Sequence, residues 1–162
     1  TIAMPWQSYM IPQFIIIKKM GLVNTHLALI ILQSFTAFGV FLVRQFYMEI
    51  PNEICEAARI DGMSEYGIYA KIMLPLSKPV IATLTIFSFT TIWNDFMGPL
   101  IYINSQNLKT IQLGLRSFIT EYSSEYSLTM AGSVVALIPV LIVFACLQKY
   151  FVEGIASTGL KG

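Results

Sequence analysis

Apolar and polar residues occur in long separate blocks along this chain of 162 residues. Three mostly apolar runs, at about residues 22–43, 80–103 and 128–147, are long enough for membrane-spanning helices, which need roughly 20 such residues. A fourth apolar stretch, residues 1–17, contains two prolines and is predicted to be the end of a further span. The longest polar interval, residues 51–79, separates the first two full-length runs. The pattern predicts an all-α transmembrane helical bundle with residues 51–79 outside the membrane.

The polar interval predicts two short helices joined by a turn, which we name the hairpin (residues 51–79). Pro51 suits a first helical position, where its missing N–H is not needed. Gly62 can adopt the left-handed conformation that ends a helix, and Ser64 can cap the next helix. Pro75 and Pro79 then prevent the second helix from continuing smoothly into the following span.

Composition agrees with a membrane protein. Hydrophobic residues make up 56% of the chain, charged residues 12%, and the mean hydropathy is +0.68. Soluble domains carry about 25% charged residues. The formal net charge of +1 gives no reason to expect a nucleic-acid partner. The two cysteines, Cys55 and Cys146, lie in the hairpin and in the last span, so no disulfide is expected, and no residue spacing suggests a metal site.

The chain is interpreted as part of a longer protein. It begins with Thr1, without a basic region followed by an apolar core as in a secretory signal. We expect residues 1–162 to be a single transmembrane domain whose N-terminal spans are missing. The alternative is a complete small membrane protein.

Polar residues lie inside two of the apolar runs. Gln33, Ser34 and Thr36 in the first full span are expected to face other helices, because lipid offers their polar side chains no partner. Asn94 and Asp95 lie well inside the second, beside Trp93, and an aspartate at membrane depth costs about 2.5–3.5 kcal/mol unless it faces the bundle interior or water. Asn94 and Asp95 either line a translocation path, with Trp93 beside them, or form an interhelical hydrogen bond that orients the span, and the sequence leaves both open. The adjoining Gly98-Pro99 pair is expected to loosen the helix or to mark its end.

Known catalytic motifs are missing from the sequence. There is no G-x-x-x-x-G-K-[ST] motif for ATP binding, no G-x-S-x-G and no H-E-x-x-H, and the chain has one histidine. Catalysis by this chain is therefore not predicted, and any energy for transport has to come from a partner.

The hairpin resembles the EAA loop of ABC-importer membrane subunits. The strings E-A-A-R-I-D-G and L-P-L-S-K-P are similar to the carbohydrate-importer branch, the maltose-type permeases. Trp93-Asn94-Asp95-Phe96 and the ending from Gln148 to Gly154 are also similar to that family's pattern. The hairpin residues that carry the resemblance are Glu56, Ala57, Ala58, Asp61, Gly62, Ile72, Leu74 and Pro75.

This resemblance implies a permease subunit that moves a carbohydrate across the cytoplasmic membrane. Its EAA loop and C-terminus would be cytoplasmic, and the loop would dock on a separate ATPase subunit, which binds the ATP and magnesium, so that the chain needs no cofactor. A second homologous permease subunit and an extracytoplasmic solute-binding protein are the other implied partners. Basic residues favour this orientation weakly, six on the hairpin and tail side against four. The alternatives are a polyol, glycerol phosphate or amino acid as solute, or a membrane scaffold without transport.

Overall fold

A computed structural model of the chain describes residues 4–119 and 126–159, with side chains described as far as Phe151. Within these ranges the chain is helical and contains no β-strand, which confirms the all-α prediction. Short 3₁₀ turns lie at Trp6–Ser8, Gln106–Leu108 and Arg116–Phe118, and a π-helical turn lies at Tyr69–Met73. The α-helices are α1 (Met10–Lys19), α2 (His26–Gln33), α3 (Ala37–Met48), α4 (Asn52–Ile60), α5 (Glu65–Ile68), α6 (Leu74–Leu76), α7 (Lys78–Trp93), α8 (Met97–Tyr102), α9 (Ile111–Leu115) and α10 (Tyr126–Gly159).

The chain divides into two compact units. Unit 1 comprises Thr1–Ala37 with Phe89–Ile142, and unit 2 comprises Phe38–Ser88 with Val143–Gly162. Each unit therefore combines two stretches that are distant in sequence. The Asn94–Asp95 pair belongs to unit 1, and the hairpin belongs to unit 2.

Unit 1 is organised around a buried tyrosine. Tyr102 of α8 is fully buried together with Ile17 of α1 and Ala28 of α2. The Phe14 and Tyr102 rings lie 5.9 Å apart between centroids, and the Tyr102 hydroxyl lies 3.4 Å from Gln13 Oε1. Aromatic pairs at this spacing add to the free energy gained by burying apolar area. The contacts bring α1, α2 and α8 together.

The connection from α1 to α2 is built by local capping. Gly21 and Asn24 both have positive φ, +69° and +62°, which are conformations that glycine and asparagine tolerate best. The Thr25 hydroxyl accepts a hydrogen bond from Ala28 N and so caps α2. Asn24 Oδ1 also accepts from the backbone N–H groups of Asn104 and Ser105, at 2.9 and 2.8 Å. This one asparagine ties the connection to the segment that follows α8.

Unit 2 contains the hairpin and a bend that follows it. The helical segments Glu65–Leu76 and Lys78–Trp93 meet at an angle of 65° around Ser77. The Ser77 side chain is buried, with its Oγ 2.6 Å from Met73 O and 2.9 Å from the Tyr47 hydroxyl. These two hydrogen bonds satisfy the polar atom at the bend and link it to α3.

Two helical stretches among the described residues, His26–Met48 and Tyr126–Phe151, are long and apolar enough to cross a membrane. A third is added if the bent pair around Ser77 is one span. The predicted span 22–43 includes α2 and the first part of α3, which are separated by an interruption at residues 34–36. The predicted span 80–103 includes most of α7 and all of α8, with a second interruption at residues 94–96. The predicted span 128–147 lies within α10, and residues 1–17 include α1 from Met10 onward. Where these spans lie in a membrane stays a prediction.

Candidate functional site

The first arm of the hairpin is α4, which ends in a hydrogen-bonded glycine turn. Pro51 precedes the helix as its N-cap residue, with ψ at 134°, so the prediction of a first helical position is wrong by one residue. At the other end Gly62 has a φ of +79°. Its N–H bonds to Arg59 O and the N–H of Met63 bonds to Ala58 O, both at 3.0 Å. This pair of bonds is the Schellman motif, in which a left-handed residue satisfies the last carbonyls of a helix.

The second arm begins at the predicted cap and contains a widened turn. The Ser64 hydroxyl accepts a hydrogen bond from Gly67 N, at 3.3 Å, and starts α5. The π-helical turn Tyr69–Met73 then precedes Pro75 of α6. A proline ring crowds the carbonyl of the residue four positions before it, here Lys71. Because a π turn is wider than an α turn, it gives this carbonyl room and lets the helix pass through Pro75.

An ion pair joins the two arms across the turn. Arg59 Nε lies 2.6 Å from Glu65 Oε1, and Arg59 Nη2 lies 3.2 Å from Oε2. The hydrogen bond from Arg59 lowers the pKa of Glu65, and the same bond raises the pKa of Arg59. Both side chains are exposed, so water weakens the attraction. The pair contributes to the angle between the two arms and adds little to the stability of the whole fold.

The ion pair predicts a small dependence of stability on pH. A carboxylate whose pKa is lowered on folding stabilises the folded state above its usual pKa, and that contribution is lost as the pH falls through the lowered value. At neutral pH, Glu65→Gln is therefore expected to melt slightly below the parent protein. The difference should begin to shrink near pH 4, the ordinary range of a glutamate carboxyl, and continue to shrink as the pH falls further. Thermal unfolding of the purified full-length protein between pH 3 and pH 8 measures it; a difference that grows toward low pH would contradict this assignment.

The structure gives the eight predicted hairpin residues different surroundings. Ala58 is 4% exposed and packs inside the unit, whereas its neighbour Ala57 is exposed, so only one of the two alanines is available at the surface. Ile72 is half-buried. Among the described residues Arg59–Glu65 is the only ion pair, and Glu56 also attracts the Arg59 guanidinium without forming an ion pair with it. The predicted residues that are exposed are Glu56, Ala57, Asp61, Gly62, Leu74 and Pro75.

Two large apolar residues flank the glycine turn and lie almost fully in solvent. Ile60 is 87% exposed and Tyr66 is 89% exposed. We name these two side chains and the intervening Gly62 turn the hairpin tip. Ile60 and Tyr66 are the most exposed of the large apolar side chains of the hairpin, which makes them the first candidates for a contact with a partner. The sequence did not single them out, although an apolar residue on either side of a glycine stop in a polar segment was the available signal.

The second candidate site is the interruption between α7 and α8. Asp95 Oδ1 accepts a hydrogen bond from Gly98 N at 3.1 Å, in the first turn of α8, and Oδ2 accepts from Gln33 Nε2 at 2.7 Å. Gln33 thus has a polar partner in the interruption between α7 and α8, as expected for an amide that lipid cannot satisfy. The Ser34 hydroxyl, which was expected to face another helix, donates to Ile30 O of α2 at 2.6 Å. Gly98 and Pro99 lie inside α8 and are buried, so the helix is interrupted before them rather than at them. Asp95 lies one residue before Phe96, the N-cap residue of α8, and its carboxylate accepts from the first turn, which stabilises the start of the helix at this point.

Trp93 and Asn94 also have partners in unit 1. Trp93 Nε1 donates a hydrogen bond to Ala136 O at 2.9 Å. Asn94 Nδ2 donates to Thr90 O at 2.9 Å, and its Oδ1 accepts from Gln112 Nε2 at 3.1 Å. The structure therefore brings the three predicted residues to one place and gives each a hydrogen bond. The assignment of these residues to a translocation path stays a prediction.

Comparison with known families gives the class of protein. A model of the family described as "Binding-protein-dependent transport system inner membrane component" matches residues 1–157. The chain belongs to this family. Together with the two apolar helices that are long enough to cross a membrane, membership makes it an integral membrane protein.

Several members of this inner membrane component family are similar over nearly the whole chain. The arabinooligosaccharides transport system permease protein AraQ of Halalkalibacterium halodurans is 39% identical over 158 residues, which is 98% of this chain and 57% of AraQ. The lactose transport system permease protein LacG of Rhizobium radiobacter is 36% identical, over 98% of this chain and 58% of LacG. The chain thus spans a little over half the length of these curated relatives.

A solved structure supports the same family fold. A chain in the crystal structure of a bacterial ABC transporter involved in the import of the acidic polysaccharide alginate superposes with a TM-score of 0.76 and 28% identity. The match covers 87% of this chain and 55% of the other chain. The described helices therefore form the fold of a known ABC transporter subunit.

Proposed function

We propose that this chain is part of a membrane-spanning permease subunit of an ABC importer, and that a separate ATPase subunit drives it through the hairpin. The observation that carries the proposal is the hairpin tip. Ile60 and Tyr66 are so exposed that they add little to the stability of the isolated chain. They lie in the polar hairpin and not in one of the apolar spans. A partner that covers them would bury apolar area on binding.

The hairpin is suited to transmit a displacement of its tip to the following helix. Its arms are held together by the Arg59–Glu65 pair and by the bonds of the Gly62 turn. Its second arm continues into α7 after a single residue, Ser77, whose side chain is buried and hydrogen-bonded. A rigid-body displacement of the tip is therefore transmitted to α7 rather than absorbed by a flexible linker. Exposed Glu56 and Asp61 are available to pair with basic groups of the ATPase.

The proposed cargo is a carbohydrate. The names of AraQ and LacG assign them to arabinooligosaccharide and lactose transport, and the alginate transporter imports an acidic polysaccharide. A polyol, a glycerol phosphate or an amino acid is the alternative solute. An extracytoplasmic binding protein would deliver the solute, and a second permease subunit would complete the passage. ATP and magnesium would bind to the ATPase, so this chain would not be an enzyme.

The proposed location is the cytoplasmic membrane, with the hairpin and the C-terminus in the cytoplasm. This orientation follows from the proposed docking, because ATP is a cytoplasmic substrate. The excess of basic residues on the hairpin side is consistent with it.

Purification and reconstitution test the proposal. The tagged full-length protein is expected to copurify with an ATP-hydrolysing subunit, and the reconstituted complex with its binding protein should take up at least one of arabinotriose, lactose or melibiose. If no ATPase copurifies with the protein, the alternative of a membrane scaffold without transport would be favoured. Uptake of glycerol phosphate or an amino acid, without any of the sugars, would correct the cargo and leave the permease assignment in place.

A further inference from the structure

A hydrogen bond joins two helix interruptions in unit 1. The first interruption, at residues 34–36, begins directly after Gln33, the last residue of α2. The second, at residues 94–96, contains Asp95 and separates α7 from α8. Gln33 Nε2 donates to Asp95 Oδ2 at 2.7 Å, although the two residues are 62 positions apart in the sequence. A side-chain hydrogen bond thus connects the ends of two apolar helices.

The chemistry of this contact is complementary. Helix ends leave backbone groups without partners, which is costly in apolar surroundings. Asp95 Oδ1 supplies one such partner to Gly98 N, at the start of α8. A carboxylate only accepts hydrogen bonds, so its second oxygen needs a donor, and the Gln33 amide provides one. Asp95 is half-buried, and each of its oxygens has a protein donor.

We propose that Gln33 and Asp95 form a polar joint that fixes the two helix interruptions to each other, and that transport depends on the joint rather than on the negative charge at position 95. Gln33 is a positioning residue that acts through Asp95. The role in transport rests on the proposed function, whereas the joint itself does not. The inference assigns Asp95 to the structural one of the two roles that the sequence left open.

Isosteric substitutions separate the joint from the charge. In Asp95→Asn, the side-chain oxygen still accepts from Gly98 N, and the new amide can donate to Gln33 once the Gln33 amide turns over, so the joint survives without the charge. In Gln33→Glu, two ionised carboxylates, which only accept hydrogen bonds, repel each other and the joint is lost. In the double variant Gln33→Glu/Asp95→Asn, the new asparagine donates to the new glutamate, which restores the joint with the charge moved to position 33.

The experiment uses the full-length protein, assembled with its partner subunits in proteoliposomes. It measures the melting temperature of the complex and the uptake of a mixture of arabinotriose, lactose and melibiose by mass spectrometry. Gln33→Glu is expected to lower the melting temperature by about 2–4 °C and uptake by roughly fivefold or more. Asp95→Asn and the double variant should stay close to the parent protein in both. Gln106→Glu adds the same charge at an exposed site and should change neither.

Three results would overturn the proposal. The double variant could be as impaired as Gln33→Glu, Gln33→Glu could behave as the parent protein, or Asp95→Asn could lose uptake while its melting temperature stays unchanged. If the parent complex takes up none of the sugars, the proposed function fails instead. The melting temperatures then still test the joint, because they do not depend on transport.

Discussion

Replacing Gly62 by leucine is expected to leave the protein in the membrane and to reduce ATP-driven uptake by roughly 5- to 30-fold. Gly62 has a φ of +79°, and a Cβ built there meets no atom within 4 Å. The damage therefore comes from the backbone, since the left-handed conformation costs an ordinary L-residue about 1–2 kcal/mol. The turn would open, the two arms would separate, and the ATPase would lose its contact with the hairpin tip.

Two control variants distinguish this effect from general strain. Gly62→Asn should retain most of the uptake, because asparagine tolerates the left-handed conformation. Gly21→Leu is the matched control outside the hairpin, since Gly21 has a φ of +69° and equally open surroundings. It should be destabilised to a similar extent and keep its ATPase. The coupling role would be wrong if Gly62→Leu transported normally with its ATPase bound, or if Gly21→Leu detached the ATPase equally.

Replacing Gly98 by alanine should have the second large effect, at the interruption between α7 and α8. A Cβ at Gly98 would overlap Asp95 Oδ2, the oxygen that accepts from Gln33. The carboxylate would have to turn away, and both the cap of α8 and the joint would be lost. Loss of a helix cap alone costs about 0.5–2 kcal/mol, which corresponds to a factor of roughly 2 to 30 in population. The melting temperature and the uptake rate of the reconstituted complex measure the effect.

Gly132→Ala is the matched control for this substitution. A Cβ at Gly132 would also overlap a neighbour, but that neighbour is Leu115 Cδ2, the end of a flexible apolar side chain that can rotate away. We expect a small change in melting temperature and normal uptake. Equal losses for the two variants would mean that overpacking, and not the Asp95 carboxylate, explains the result for Gly98.

The sequence predicted those parts of the hairpin whose chemistry is local. Gly62 ends α4 and Ser64 caps α5 as expected, because each acts on backbone groups within a few residues. Pro51 is the N-cap residue of α4 and not its first helical residue, because the fixed φ of proline suits both positions. The Arg59–Glu65 pair was not predicted, because it depends on how the chain reverses at the turn.

The second site was predicted less completely, because its contacts join residues that are distant in sequence. The composition showed that Gln33 and Asp95 needed polar partners, but not that they were each other's partner. Glycine and proline marked a break near position 98, whereas the carboxylate of Asp95 caps α8 earlier and moves the interruption to residues 94–96. A single sequence shows that a polar side chain in an apolar run needs a hydrogen-bond partner, but it does not show which distant residue supplies it.

The most direct test of the central claim is site-specific photo-crosslinking from the hairpin tip in intact cells. A photoreactive phenylalanine analogue at Ile60, which is 87% exposed, should form an adduct with the ATPase subunit. The same analogue at Met20, which is 57% exposed and outside the hairpin, should form none with it. Adducts from Ile60 only with lipid or with an extracytoplasmic protein would contradict the account, because the hairpin would then not dock on the ATPase.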